Sequence, residues 1–227
     1  EMMYFYKKLN VKNFIFRDPV FTIHRKHTIE LCEEIIKTGI KFNICIEAHL
    51  KDIDVELVKI LKKAGVKLIY VGIESSDEEI RNDANRTSDS NENQLTKVRY
   101  LEKNGIKVKA MYIIGLPTDT SDSFKRTVDY AKKIKSSYAQ FSVFTPYPGT
   151  PVFKEYKDKI TSRRYEDFTQ WQLVFKHQNL SNKDILDLLN YSYKKYYTNP
   201  SWIVFFLYNK LKEFYENIFI RFNWFSR

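Results

Sequence analysis

The chain is organised by a short repeat. Lys37-Thr38-Gly39-Ile40-Lys41 returns as Lys63-Ala64-Gly65-Val66-Lys67 and again as Lys103-Asn104-Gly105-Ile106-Lys107. Each copy follows a stretch with helical periodicity and precedes an apolar run. Glycine ends a helix at low cost, because the residue past the cap takes a left-handed backbone. A β-branched neighbour then starts a strand. Leu9-Asn10-Val11-Lys12 reads as a fourth copy, with Asn10 in the left-handed position. A chain punctuated in this way alternates helix and strand, which builds a parallel βα barrel or an open α/β sheet.

The stretches between the repeats fit that frame. Ile29, Leu31, Cys32, Ile35 and Ile36 form one helical stripe. Val55, Leu57, Val58, Ile60 and Leu61 form a second, with Asp54 as its N-cap. A third helix is expected over 94–104. A fourth uses Phe124, Val128, Ala131 and Ile134, with Thr120 or Ser121 near its cap. Strands are expected at 13–16, 42–46, 68–71, 108–114 and 139–144, nearly continuous in hydrophobicity, as for parallel strands covered on both faces. The alternation stops at Thr161, so residues 1–160 read as a barrel-like unit and 161–227 as a helical extension. Ser181 and Asp184 make a capping-box-like pair, and Pro200 can begin another helix. The stretch from Trp202 to Phe225 is aromatic and basic. Its apolar residues lie on more than one helical side, which favours packing on the barrel or on a further domain. A membrane surface is the alternative partner.

Composition narrows the classes. With 227 residues and 43% hydrophobic content, one sizeable domain with its own core is expected. The net charge of +10 suggests nucleic acid, anionic membranes or phosphorylated substrates, yet the lysines are spread along the chain rather than packed into one block. A solvated exterior explains them, and without an RNA-binding motif nucleic acid is not expected as a partner. Only Cys32 and Cys45 are available for sulfur chemistry, so no disulfide framework is indicated and a reducing, cytoplasmic setting is expected. Cys32 on a helical face and Cys45 within a strand both read as core residues. The chain opens on Glu1 inside a helical stretch, which points to a preceding segment.

In parallel βα architectures chemistry gathers at the carboxyl ends of the strands. Those positions carry Arg17-Asp18-Pro19, then Glu47 and His49, then Gly72-Ile73-Glu74-Ser75-Ser76, then Gly115-Leu116-Pro117, and last Thr145-Pro146-Tyr147-Pro148-Gly149-Thr150. Carboxylates there can accept hydrogen bonds from ribose hydroxyls or an amino group, and the final turn can face an adenine edge. Taken singly, Asp18 also suits a helix cap and Glu74 an ion pair with a nearby Lys or Arg.

These residues, in this order, resemble the core of radical S-adenosylmethionine (SAM) enzymes. The similarity is to the branch often fused to an N-terminal cobalamin-binding domain. It is carried by Phe14-Ile15-Phe16-Arg17-Asp18-Pro19-Val20-Phe21, Gly72-Ile73-Glu74-Ser75, Ile113-Ile114-Gly115-Leu116-Pro117 and Pro146-Tyr147-Pro148-Gly149-Thr150, and runs from about Glu1 to Tyr156. The resemblance implies a partial parallel (β/α) barrel of about five strands followed by C-terminal helices. It implies a cofactor pocket bordered by Asp18, Glu47, Glu74 and Ser75, with Gly115 beside adenine and Tyr147, Gly149 and Thr150 at its edge. Arg86, twelve residues past Glu74, stands where a basic residue can meet the methionine carboxylate; a solvated helix residue is the other reading of it. Departures are Ser76 in place of glycine and His49 in place of arginine.

The same resemblance implies a 4Fe–4S cluster held by a Cys-x-x-x-Cys-x-x-Cys loop after the first strand. Cys32 and Cys45, thirteen residues apart, cannot form it, so the loop and its strand are expected upstream of Glu1. The implied activity is reductive cleavage of SAM to drive methylation, cyclisation or hydrogen abstraction on an unknown substrate. It would be fed by a reductant protein such as a flavodoxin or ferredoxin, with cobalamin as a further cofactor of the whole protein. The alternative is a degenerate barrel that has lost the cluster and serves as a binding or scaffolding module. A half-barrel is also expected to leave a strand edge open and to associate through it.

Overall fold

The computed structural model describes residues 1–84 and 89–222. The repeat sets the rhythm of the fold. Helix α1 (Met2–Leu9) leads into β1 (Asn13–Ile15), and α2 (Arg25–Lys37) into β2 (Asn43–Glu47). Then come α3 (Val55–Ala64), β3 (Val66–Glu74), the short α4 (Glu78–Asp83), α5 (Asn91–Lys103), β4 (Lys107–Ile114), α6 (Ser121–Ile134) and β5 (Tyr138–Val143). The reversals occur at the residues singled out by the repeat: Asn10, Gly39, Gly65 and Gly105 all have positive φ. At Gly65, with φ 101°, a Cβ would lie 2.3 Å from the carbonyl oxygen of Phe42, so the close approach of α3 to β2 also demands glycine. A fifth reversal uses Lys135 (φ 59°), which has no glycine to mark it in the sequence.

All five strands are parallel and run in chain order, β1-β2-β3-β4-β5, as a half-barrel. The expectation that both faces are covered does not hold. One row of side chains is buried, including Ile69, Val71 and Ile73 on β3 and Val108, Ala110, Tyr112 and Ile114 on β4. The alternate row, Tyr70, Gly72, Lys109, Met111 and Gln140, is only half-buried. The buried row meets Leu57, Leu61, Val98, Leu101, Phe124, Val128 and Ala131 of the helices in one continuous core. The inner row faces the concavity, which no helix covers among the described residues.

After β5 the chain forms α7 (Pro151–Glu155), α8 (Asn182–Tyr197) and α9 (Pro200–Phe222). Ser181 caps α8 in a capping box with Asp184, and Thr120 rather than Ser121 caps α6. The pairing of Tyr193 with Phe141, Tyr197 with Ala139 and Tyr196 with Ser136 shows that α8 runs antiparallel to β5.

That pairing also closes the outer edge of the sheet. The Tyr193 hydroxyl donates to the Phe141 carbonyl (3.1 Å) and accepts from the Phe141 N–H (3.2 Å). The Tyr197 hydroxyl does the same for Ala139, at 2.7 and 2.9 Å. The Val143 N–H finds the Gln170 carbonyl at 2.7 Å. Two tyrosines one helical turn apart thus stand in for a sixth strand, and β5 leaves no open edge there. At the other edge β1 pairs with β2 alone among the described residues. Removing both hydroxyls strands two N–H and two C=O groups. Tyr193→Phe/Tyr197→Phe is therefore expected to cost roughly 3 kcal/mol by urea titration and to raise the tendency to associate in sedimentation, whereas either single variant costs about half as much.

Candidate active site at the strand ends

The loops after the strands form an arc along one end of the half-barrel. The loop after β1 is tied to β2: Phe16 N–H donates to the Cys45 carbonyl (3.0 Å) and Phe21 N–H to the Glu47 carbonyl (2.8 Å). Between β1, β2 and β3 lies a cavity of about 190 Å³ lined by Arg17, Pro19, Cys45, Glu47 and Tyr70, among others. Asp18 sits on the exposed loop beside it. Burial pushes the Glu47 carboxyl above the usual carboxylate range, and Arg17 and Lys109 pull it back toward the ionised form. Cys45 is buried, at 9% exposed, as the sequence leads one to expect. It also lines this cavity beside Tyr70. The ring of Tyr70 carries the Lys109 ammonium 4.8 Å from its centroid. Strand alternation puts Cys45, Tyr70 and Lys109 on the inner face; the sequence signal was the register, which cannot be read before strand pairing is known.

Glu74 ends β3 in a left-handed conformation, φ 68°, with a register shift between Gly72 and Glu74. A non-glycine residue there needs its neighbours to hold it. Its carboxylate turns back over Gly72, where a Cβ would lie 2.7 Å from Oε1, so glycine leaves the space the carboxylate fills. The next residues are locked from below. Ser75, 1% exposed, shares a 3.2 Å hydrogen bond with the Thr127 hydroxyl, and Thr127 also accepts from Ser76 N–H at 3.0 Å. The Arg81 guanidinium, 2% exposed, donates to the Ser75 carbonyl and to Asn91 Oδ1 (3.0 Å). Asn91 in turn donates to the Ser76 carbonyl at 2.7 Å. Ser75 therefore positions the loop through Thr127. Arg86 lies outside the described residues.

Gly115 ends β4 with φ 74°, packed so closely under α8 that a Cβ would lie 3.2 Å from Ile185 Cδ1. Its N–H donates to Asp119 Oδ2 at 3.1 Å, and Ser123 donates to the other oxygen. Burial raises the Asp119 carboxyl to about 6, against these hydrogen bonds. His177 braces the same loop. Its Nδ1 accepts from the N–H groups of Asn179 and Leu180, both at 3.1 Å, so the proton sits on Nε2, which donates to the Leu116 carbonyl at 2.9 Å. Burial holds this imidazole below its usual range and hence neutral. After β5, the Tyr147 carbonyl accepts from the Thr150 N–H (3.1 Å) and hydroxyl (2.6 Å), and Thr150 caps α7. Gly149 (φ 88°) makes that turn. The structure thus places Asp18, Glu47, Glu74, Gly115 and the Tyr147–Thr150 turn along one arc. Arg81, Asp119 and His177, which hold the arc, went unremarked in the sequence because each acts on backbone groups that the local pattern does not reveal.

A fold and arc of this kind have known counterparts. The sequence profile of the Radical SAM superfamily matches residues 1–131, and the chain belongs to that superfamily. It is 27% identical over 199 residues to the anaerobic magnesium-protoporphyrin IX monomethyl ester cyclase of Rubrivivax gelatinosus, covering 87% of this chain and 36% of that one. It is 27% identical over 174 residues to the bacteriochlorophyllide d C-12(1)-methyltransferase of Chlorobaculum tepidum, covering 77% and 38%. Among solved structures it resembles the radical SAM methyltransferase TsrM from Kitasatospora setae, with a TM-score of 0.63 at 19% identity over 70% of this chain and 30% of that one, which shows the shared fold. The chain spans between about a third and a half of the length of these curated relatives.

The Asp119 carboxyl generates a pH signature. Its folded value of about 6 lies above the 3.8 of an unperturbed aspartate, so the folded chain holds this proton more tightly than the unfolded chain. The stabilisation is complete below about pH 4 and is lost as pH rises through 6, by at most about 3 kcal/mol. The urea midpoint of the native chain is expected to fall across this window relative to that of Asp119→Asn, which cannot titrate.

Proposed function

We propose that this chain forms the cofactor-binding wall of a radical SAM enzyme whose cluster cysteines lie upstream of Glu1. The observation that carries the reading is Glu74. Its backbone is held left-handed by the Ser75–Thr127–Arg81 lock, and its carboxylate lies over Gly72 on the inner face. Glu47 and the small cavity adjoin it on the neighbouring strand, β2.

The donor set suits SAM and does not suit the cluster. Carboxylates at the ends of β2 and β3 accept hydrogen bonds from ribose hydroxyls and from the methionine amino group. The Gly115 loop and the turn around Tyr147, Gly149 and Thr150 supply backbone groups to an adenine edge, and Asp18 borders the methionine end. By contrast, among the described residues no three His, Cys, Asp or Glu side chains gather as a metal-ligand set, and Cys32 lies in the apolar core. The cluster, when bound by the whole protein, supplies the electron that cleaves SAM. This chain's residues orient the cofactor and present the inner face, with Tyr70, Lys109 and Cys45, to a substrate. Methylation or ring closure of a small organic molecule is the reaction class, as in the names of the relatives, and cobalamin is the further cofactor for a methyl-transferring member. A cytoplasmic site with a flavodoxin- or ferredoxin-like electron donor fits a chain whose two cysteines are both free.

Two measurements test this. Equilibrium binding of SAM to the chain is expected to weaken about tenfold in Glu74→Gln and in Glu47→Gln, since each removes a charge-assisted hydrogen bond. Anaerobic iron–sulfur reconstitution is expected to succeed only in a protein extended upstream through the next strand and loop, which then releases 5′-deoxyadenosine from SAM. An upstream sequence without a cysteine loop, with no iron uptake, would leave a non-catalytic binding module as the better account.

A further inference from the structure

Some of the lysines scattered through the sequence meet in space. Because every strand is parallel, α2, α3, α5 and α6 all return to the end of the sheet where strands begin, and α8 does the same by running antiparallel to β5. Each of these helices ends in lysine: Lys37, then Lys62 and Lys63, then Lys103, then Lys132 and Lys133, then Lys194 and Lys195. Lys135 caps α6 at the same end. Most acidic side chains there are already committed, Glu33 being exposed and without an ion pair among the described residues. Glu34 pairs with Lys37 at 2.7 Å and Asp129 with Lys132 at 3.1 Å, while Glu102 turns inward to Ser137 at 2.6 and 2.8 Å. Among the described residues, Lys62, Lys63, Lys103, Lys133, Lys194 and Lys195 have no ion pair, nor does Lys135.

Helix α9 leaves from this end with its apolar side outward. Its contacts with the body are narrow. Trp202 Nε1 donates to the Ser137 carbonyl at 3.1 Å, and Trp202, Phe205 and Asn209 are half-buried. The rest of the first three turns faces water: Ile203, Val204, Phe206, Leu207, Tyr208 and Leu211 are all exposed, Val204 by 67% and Tyr208 by 66%. Lys132 and Lys135 line the same 370 Å³ groove as Trp202, Phe205 and Tyr208, and Lys210 lies over the Phe206 ring. No described helix is long and apolar enough to cross a membrane.

We propose that this end of the protein docks on an anionic lipid surface, with α9 lying in the headgroup layer and the lysine rim around it facing the lipid phosphates. The charge selects this occupant. A second copy of the chain would bring two unpaired lysine rims face to face. RNA would satisfy the lysines and leave the apolar arc of α9 in water. An anionic bilayer takes both, through burial of the apolar side chains and attraction of the lysines. The strand-end arc, at the opposite end of the sheet, then faces the aqueous side.

The test is sedimentation of the full chain with vesicles of phosphatidylcholine alone and of phosphatidylcholine with phosphatidylglycerol. Binding is expected only to the second, and it should be lost at high salt. Lys133→Gln, Lys135→Gln and Lys194→Gln should each weaken it roughly fivefold. Leu207→Asp should abolish it with an unchanged melting profile, because Leu207 is exposed. Equal binding to both vesicles, binding to neither, or survival of binding in Leu207→Asp overturns the proposal. So does salt-sensitive binding to RNA that outcompetes the vesicles, or a concentration-dependent dimer that Leu207→Asp dissolves in the absence of lipid.

Discussion

The left-handed residue at the end of each helix is the constraint that shapes the whole molecule. Asn10, Gly39, Gly65, Gly105 and Lys135 each turn the chain from a returning helix into the next strand. Where the turn is tightest, at Gly65, the α3 terminus lies directly against the Phe42 carbonyl. Since every reversal is alike, every strand points the same way. The carboxyl ends of β1 to β5 are then collected on one side of the molecule and the helix C-termini on the other. The two ends acquire different characters: carboxylates and strained loops at one, and at the other the helix-terminal lysines, which also answer the negative ends of the helix dipoles.

At the strand ends, the structure is built from side chains that hold backbone rather than from side chains that react. Arg81 and Thr127 fix the loop after Glu74, Asp119 and His177 fix the loop after Gly115, and Thr150 fixes the turn after β5. Each is buried or is engaged by two or more hydrogen bonds, so the loops that border the concavity are rigid in the sense that moving them strands polar groups. This rigidity presets the position of Glu74 over Gly72.

The sheet itself is asymmetric. Its helix-facing row is apolar and closed, and its inner row carries Tyr70, Lys109, Gln140 and Ser142, which a packed core would not tolerate unpaired. The outer edge at β5 is finished by Tyr193 and Tyr197, so α8 completes the sheet. The boundary at Thr161 marks a change in local pattern; the hydrogen bonds cross it.

The sequence by itself determined the alternation of the long helices with the strands, the parallel sense of the sheet and the caps at Asp54 and Ser181. Those depend on interactions within a few residues, between a side chain and its own turn of helix. It also placed Glu47, Glu74 and Gly115 at strand ends, because position along a βα unit is a local property. Only the tertiary structure decided which face of each strand stays open, and so set the buried Cys45 beside a cavity. Only it could join Thr127 to Ser75, His177 to Leu116, and the tyrosines of α8 to β5, since those partners meet through chain closure over long separations. The lysines show the difference most plainly. Along the chain they are evenly spread, and parallel strand order brings those in the last turns of the helices to one end, because a helix that must return beside its strand has only one place to finish.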